Sequence, residues 1–69
     1  MSIVIESYST GTGINATIEK EKYSSLFYVT VYTLHGNIPV TEYRNSFTAI
    51  SNARKAIKRL YPGISKAEV

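Results

Sequence analysis

The run LFYVTVYTL, from Leu26 to Leu34, constrains the fold of this 69-residue chain more than any other segment. Its nine residues include no charge, glycine or proline, and most of them are β-branched or aromatic. Such residues favour an extended strand whose side chains alternate between two faces. The segment therefore predicts a β-strand. The sequence HGN that follows it predicts a turn in which Gly36 and Asn37 are able to take positive φ.

Three further segments are predicted as strands. Ile14–Tyr23 alternates apolar and polar residues in its first half, which is typical of a half-buried strand, and residues 38–45 complete a hairpin with the strand before them. Pro39 has no amide hydrogen, so it belongs at the start of its strand or on a sheet edge. Ile3–Tyr8 is a shorter β-rich segment, followed by a predicted turn, STGTG. Short turns between strands favour an antiparallel meander of three or four strands.

One helix is predicted over Ala49–Tyr61, because this stretch is rich in helix-forming residues and Pro62 and Gly63 end it. Thr48 is the predicted N-cap, and Ser46 is the alternative. At 100° per residue the helix is amphipathic. Its apolar stripe contains Ile50, Ala53, Ala56, Ile57 and Leu60. Its helix cations are Arg54, Lys55, Lys58 and Arg59. The helix is therefore predicted to cover one sheet face and to point all four cations away from the sheet.

Strand alternation assigns the other side chains to two faces of the sheet. The face predicted to lie under the helix holds Ile14, Ala16, Ile18, Phe27, Val29, Val31, Ile38 and Val40. The opposite face, left to solvent or to a partner, is predicted to hold Asn15, Thr17, Glu19, Tyr28, Thr30, Tyr32, Thr41 and Tyr43. The fold class is thus α+β: an antiparallel sheet with one C-terminal helix packed on one face. Residues 1–69 are predicted to form a single domain, with a loosely ordered tail at 64–69.

The composition of the chain limits the classes of function that we expect for it. The net charge is +3, and four of the eight basic residues lie in the predicted helix while the others balance the five acids approximately. The chain has no cysteine, so neither a disulfide nor a zinc–thiolate site is expected. No stretch approaches the roughly 18 apolar residues that a membrane-spanning helix needs. The N-terminus lacks the features of a signal peptide. A cytoplasmic location without membrane contact is expected.

No catalytic or metal-binding set emerges from the sequence. His35 is the only histidine, and the chain has neither cysteine nor aspartate to combine with it. The five glutamates are scattered, and STGTG is followed by a strand pattern rather than by the helix of a phosphate-binding loop. We therefore expect a protein that is not an enzyme and uses no cofactor or metal.

Two surfaces are predicted to bind partners. Tyr28, Tyr32 and Tyr43 are predicted to contact protein, because exposed tyrosines supply large contact areas at low entropic cost. Stacking on nucleic-acid bases and simple strand propensity are the alternative explanations of these tyrosines. The helix cations (Arg54, Lys55, Lys58 and Arg59) are predicted to contact anionic groups, with an ordinary solvated helix surface as the alternative. A homodimer is left open.

Two resemblances extend this interpretation. The segment YVTVYTLHGNIPVTEYRNSFTAISNARKAIKRL, residues 28–60, resembles the AP2-type and integrase arm-binding DNA domains, in which one helix backs a three-stranded sheet that enters the major groove. It differs from them because its predicted open face holds tyrosines and threonines instead of arginines. In size and composition of elements, the chain also resembles small phage accessory proteins, including anti-CRISPR inhibitors.

The second resemblance implies a non-enzymatic inhibitor that occupies a surface of a host nucleoprotein complex in the host cytoplasm. The alternative is a basic nucleic-acid-binding regulator that contacts phosphates through the helix cations.

Overall fold

The protein is seen here in a computed structural model that describes residues 2–66, and its framework is a twisted antiparallel sheet. The elements in chain order are β1 (Ser2–Ser9), β2 (Ile14–Glu21), β3 (Phe27–His35), β4 (Ile38–Phe47), α1 (Ile50–Leu60) and β5 (Ser65–Lys66). The predicted α+β class, with an antiparallel sheet and one helix, is confirmed.

The sheet has the strand order β4-β3-β2-β1-β5, and every neighbouring pair is antiparallel. β1 to β4 form the predicted meander, and the N-terminal segment joins it as a full strand beside β2. After α1 the chain returns as β5, which pairs with β1 through Tyr8–Lys66 and Ser9–Ser65. Gly36 has a φ of 68° at the first central position of the β3–β4 turn, a conformation that glycine adopts without strain.

The core lies between α1 and one face of the sheet. Strand alternation brings Ala16 and Ile18 of β2 to this face, where they pair with Val31 and Val29 of β3. All four are fully buried, as are Ala53 and Ile57 of α1. Tyr8 and Ile64 complete the buried cluster. The small side chains of Ala16 and Ala53 leave room for the helix to approach the sheet closely.

Three residues predicted for the core are exposed instead. Ile38 and Val40 pair with His35 and Thr33 near the β3–β4 turn, where the helix does not cover them; their exposed fractions are 69% and 40%. Leu60 ends α1 on the apolar stripe but is 43% exposed. The periodicity identified the correct sides of these elements, but the overlap between helix and sheet ends before these positions.

Tyr43 lies on the opposite face from the one predicted. Val31 pairs with Tyr43 while the next residue, Tyr32, pairs with Thr41, so Glu42 is an extra residue that forms a β-bulge. The bulge reverses the alternation beyond it, and Tyr43 packs against the core under the helix. The open face of the sheet therefore contains Tyr28 and Tyr32 but not Tyr43.

The two ends of α1 also differ from prediction. The N-cap is Ala49, not Thr48 or Ser46, and no side chain caps the helix. The segment after the helix was expected to be loosely ordered from residue 64, yet Ile64 is only 3% exposed and the next two residues form β5. The rest of that tail, residues 67–69, lies outside the described residues.

Two substitutions in α1 test this account of the core. We expect Ile57→Ala to lower the free energy of unfolding by about 3 kcal/mol, because it leaves a cavity between the helix and the sheet. Leu60→Ala removes a similar side chain from a largely hydrated position and should cost less than about 1 kcal/mol. Urea denaturation followed by circular dichroism measures both. Equal losses would show that Leu60 is packed as tightly as Ile57.

Candidate functional site

The sheet face opposite α1 is not covered by any element of residues 2–66, and we call it the open face. It contains a groove of about 500 Å³. Its lining residues are Val4, Thr17, Glu19, Thr30, Tyr32, Leu34, Pro39, Thr41 and Arg44. These residues come from β1, β2, β3 and β4, so the groove crosses the meander. Such a concave surface with mixed apolar and polar lining is the form that binding sites commonly take.

A connected set of polar side chains occupies the middle of the open face. The guanidinium carbon of Arg44 lies 5.3 Å from the centre of the Tyr28 ring, within cation–π distance. Arg44 also donates from Nη1 to Thr30 Oγ1 over 3.4 Å. The Thr30 hydroxyl in turn donates to Glu19 Oε2 over 3.3 Å. The centre of this face thus presents one cation and one carboxylate, each oriented by neighbouring side chains.

The ends of the groove are apolar. Val4 at one end and Leu34 at the other are 51% and 54% exposed, a high exposure for aliphatic side chains on strands. Tyr32 lines the groove near Leu34 and is half-buried. A partner could bury apolar surface against these ends, while the oriented polar pair would fix the orientation in which the partner binds.

Sequence periodicity does not place Arg44 on the open face. With regular alternation along β4, placing Thr41 and Tyr43 on the open face assigns Arg44 to the helix side. The bulge at Glu42 reverses this assignment and pairs Arg44 with Thr30. A bulge in mid-strand leaves no reliable trace in local sequence, so only the tertiary register reveals the position of Arg44.

On the helix side of the sheet, Arg54 is committed to an ion pair with Glu6. Arg54 Nε lies 3.0 and 3.2 Å from the two carboxylate oxygens of Glu6, and its Nη2 contacts Glu6 Oε2 as well. The hydroxyl of Tyr8 donates to the same carboxylate, and Lys66 Nζ lies 3.9 Å from it. The prediction that all four helix cations point away from the sheet is therefore wrong for Arg54. Its position on the flank of the helix, facing β1, brings it within reach of Glu6.

Glu6 is the one buried charged residue of the described chain. The hydrogen bonds from Arg54 outweigh the desolvation of the carboxylate and lower the pKa of Glu6 to about 2. Burial, together with the hydrogen bond to Glu6, raises the pKa of the Tyr8 hydroxyl. Both shifts hold the carboxylate ionised and the phenol protonated, which keeps the ion pair intact over a wide pH range.

The other three helix cations remain exposed. Within residues 2–66, no acidic side chain comes within ion-pair distance of Lys55, Lys58 or Arg59. Lys55 and Arg59 border a smaller groove of about 310 Å³ between α1 and the end of β4. The other lining residues of this groove are Phe47, Asn52 and Ala56. We call it the basic groove.

The predicted site residues are thus divided between two opposite surfaces. Tyr28 and Tyr32 lie on the open face, whereas the helix cations lie behind the sheet, and Tyr43 is packed beneath the helix. The structure does not bring the tyrosines and the cations together. A single partner would have to wrap around the domain to contact both groups.

No group of three or more His, Asp or Glu side chains among residues 2–66 is arranged to hold a metal ion. His35 is exposed, and its Nε2 lies 3.2 Å from Thr33 Oγ1. In the same range, no helix is both long enough and apolar enough to cross a membrane.

Comparisons with known proteins identify no relative of this chain. No protein-family model matches the chain, and neither does any curated protein or solved structure.

The ion pair of Glu6 has a measurable pH dependence. Its folded pKa of about 2 lies below the ordinary value of 4.5, so its contribution to stability is fully present above pH 4.5 and is lost as the pH falls through about 2. We expect Glu6→Gln to lower the free energy of unfolding by about 2 kcal/mol at neutral pH, because it leaves Arg54 without its counter-charge. The difference in the free energy of unfolding between this variant and the unsubstituted protein should become smaller as the pH falls from 4.5 to 2. Urea titrations at several pH values measure it, and a constant difference would contradict the assigned pKa.

Proposed function

We propose that this chain is a non-enzymatic binding protein and that its open face docks onto a protein partner. The observation that carries the proposal is the uncovered concave groove, whose apolar ends flank the oriented pair Arg44 and Glu19. Arg44 and Tyr28 are already held by contacts within the face, so they lose little rotamer freedom on binding. Tyr32 adds a large, half-buried ring of the kind that anchors protein interfaces.

The charges of the open face favour protein over nucleic acid as the partner. The polar centre of the groove contains one cation, Arg44, and one carboxylate, Glu19. A phosphate backbone is attracted by several unopposed cations and is repelled by a carboxylate. In addition, Arg44 covers the ring of Tyr28, which would otherwise be available for stacking on a base. A protein surface with its own mixed charges complements this arrangement.

The more specific form of the proposal is an inhibitor of the phage accessory type, which would cover a surface of a host nucleoprotein complex. Its support is the resemblance in size and in elements to anti-CRISPR proteins, an argument by analogy. The geometry also supports this form of the proposal, because a sheet with one open face is suited to covering a partner's surface. Under this proposal the protein acts in the host cytoplasm, by occupation and not by catalysis.

Photo-crosslinking tests which face meets the partner. We expect benzoylphenylalanine in place of Thr41, an exposed residue of the groove, to crosslink one discrete protein in cells of the source organism. The same group in place of Ser51, an exposed residue of α1, is the matched control and should give no such product. Crosslinking at Ser51 but not at Thr41 would overturn the assignment of the docking face.

The crosslinked protein then permits a quantitative test. We expect Tyr32→Ala to weaken binding about 30-fold, which corresponds to about 2 kcal/mol for an interface tyrosine that becomes buried. Tyr23→Ala is the control, because Tyr23 is 92% exposed in the β2–β3 connection and lies outside the groove. Isothermal titration calorimetry measures both affinities. Equal effects of the two substitutions, or none, would contradict the proposal.

A nucleic-acid-binding regulator is the second candidate. It is favoured by three cations behind the sheet that have no acidic partner within residues 2–66, namely Lys55, Lys58 and Arg59. The ion pair between Arg54 and Glu6 weakens the case for this candidate, because the number of phosphates that the helix can neutralise falls from four to three.

Salt dependence decides between the candidates. If the helix contacts phosphates, the affinity for random duplex DNA should fall with the logarithm of salt concentration with a slope no steeper than about −3, since each neutralised phosphate contributes about −0.9. A Lys55→Glu, Lys58→Glu, Arg59→Glu variant should then lose this binding, and Tyr32→Ala should retain it. We expect no DNA binding at low salt, measured by fluorescence anisotropy. Binding with these properties would establish the second candidate instead.

A further inference from the structure

The two flanks of α1 differ in how their cations are paired. On the side of β1, Arg54 holds the carboxylate of Glu6 through hydrogen bonds from Nε of 3.0 and 3.2 Å. On the side of β4, Lys55 and Arg59 border the basic groove, where the strand contributes Phe47 instead of an acid. Among residues 2–66, neither of these two cations has an acidic side chain within ion-pair distance. One flank is thus neutralised within the chain, and the other offers its positive charge to a ligand.

The spacing along the helix brings the groove residues together. Asn52, Lys55, Ala56 and Arg59 are separated by three, four and seven positions from the first of them, so they share one face of α1. Lys55 and Arg59 are four residues apart, a spacing that sets Cβ atoms roughly 5–6 Å from one another, so both side chains can reach the same carboxylate. Ala56 is too short to fill the space beside them, and the half-buried ring of Phe47 forms an apolar wall.

This combination selects a ligand with a localised negative charge and an apolar part. A polyanion gains affinity in proportion to the number of phosphates that are neutralised, and the basic groove contains only two cations. One or two carboxylates match that number. An apolar side chain next to a carboxylate would cover Phe47 and strengthen the ion pairs by excluding water. The pairing of Arg54 with Glu6 shows that a cation of this helix binds a carboxylate within the protein itself.

We propose that the basic groove binds an acidic segment of another protein, with a carboxylate between Lys55 and Arg59 and an adjacent apolar side chain against Phe47. The Asn52 amide, at the same face of α1, supplies a further hydrogen-bond donor. The inference does not rest on the proposed function, because the basic groove and the open face lie on opposite sides of the sheet. The two sites can therefore be tested separately.

A peptide titration tests the inference. The probe is a blocked tripeptide, Glu-Phe-Glu, added to the full-length, isotope-labelled protein and followed by nuclear magnetic resonance. The groove cations are exposed and lose side-chain entropy when they are ordered, so we expect weak, saturable binding with a dissociation constant on the order of 1 mM. The amide signals of Asn52, Lys55, Ala56 and Arg59 should shift. Those of Thr30 and Tyr32 on the open face should not.

Lys55 and Lys58 form a matched pair of variants. Both are exposed lysines of α1, but only Lys55 lines the groove. Lys55→Glu should weaken binding of the peptide about tenfold, because it replaces an attraction by a repulsion. Lys58→Glu changes the net charge equally and should weaken binding by no more than about twofold at physiological ionic strength, where distant charges are screened. Arg59→Glu should repeat the effect of Lys55→Glu.

Several results would overturn the inference. One is the absence of saturable shifts, and another is equal binding of the control peptide Gln-Phe-Gln, since recognition would then not depend on a carboxylate. Equal losses in Lys55→Glu and Lys58→Glu would indicate attraction to the net charge alone. Tighter binding of a short single-stranded DNA than of the peptide would make the groove a phosphate site. Glu68, the one acid outside the described residues, is tested by Glu68→Gln: tighter peptide binding by this variant would mean that the chain's own acid occupies the groove.

Discussion

The ion pair between Glu6 and Arg54 ties together elements that the hydrophobic core joins only weakly. The apolar contacts of α1 lie mainly over β3 and β4, whereas Arg54 reaches across to Glu6 on β1. Lys66 of β5 approaches the same carboxylate, and Tyr8 donates a hydrogen bond to it. A buried carboxylate is stable only when it is paired and hydrogen-bonded, so this cluster attaches α1 to β1 and β5. The position of the helix in turn determines which face of the sheet remains open.

This commitment of Arg54 changes the electrostatics of the molecule. Four cations on one helix without an acid among them suggest a surface built for phosphates, but one of the four neutralises an internal acid. The three that remain, Lys55, Lys58 and Arg59, are too few to dominate binding to a polyanion at physiological salt. The same ion pair compensates the charge of Glu6, which stays ionised beside the sheet.

The features predictable from sequence are those set by short-range periodicity. The period of two in β2 and β3 correctly identified Ala16, Ile18, Val29 and Val31 as core residues, and the helical period identified Ala53 and Ile57. Periodicity could not reveal how far each element overlaps its neighbour, so the exposure of Ile38, Val40 and Leu60 was missed. The bulge at Glu42 exchanged the faces of Tyr43 and Arg44. The partner of Arg54 lies 48 residues away, and no local pattern encodes such a pairing.

The open face and the basic groove differ most in how well their side chains are organised before binding. Arg44 rests on Tyr28 and donates to Thr30, which donates to Glu19, so the polar centre of the open face has little freedom left to lose. Lys55 and Lys58 are exposed and have no acidic partner among the described residues, so ordering them on a ligand costs side-chain entropy. The size of a surface alone therefore does not set its affinity for a partner. Preorganisation, more than charge, favours the sheet over the helix as the site of recognition.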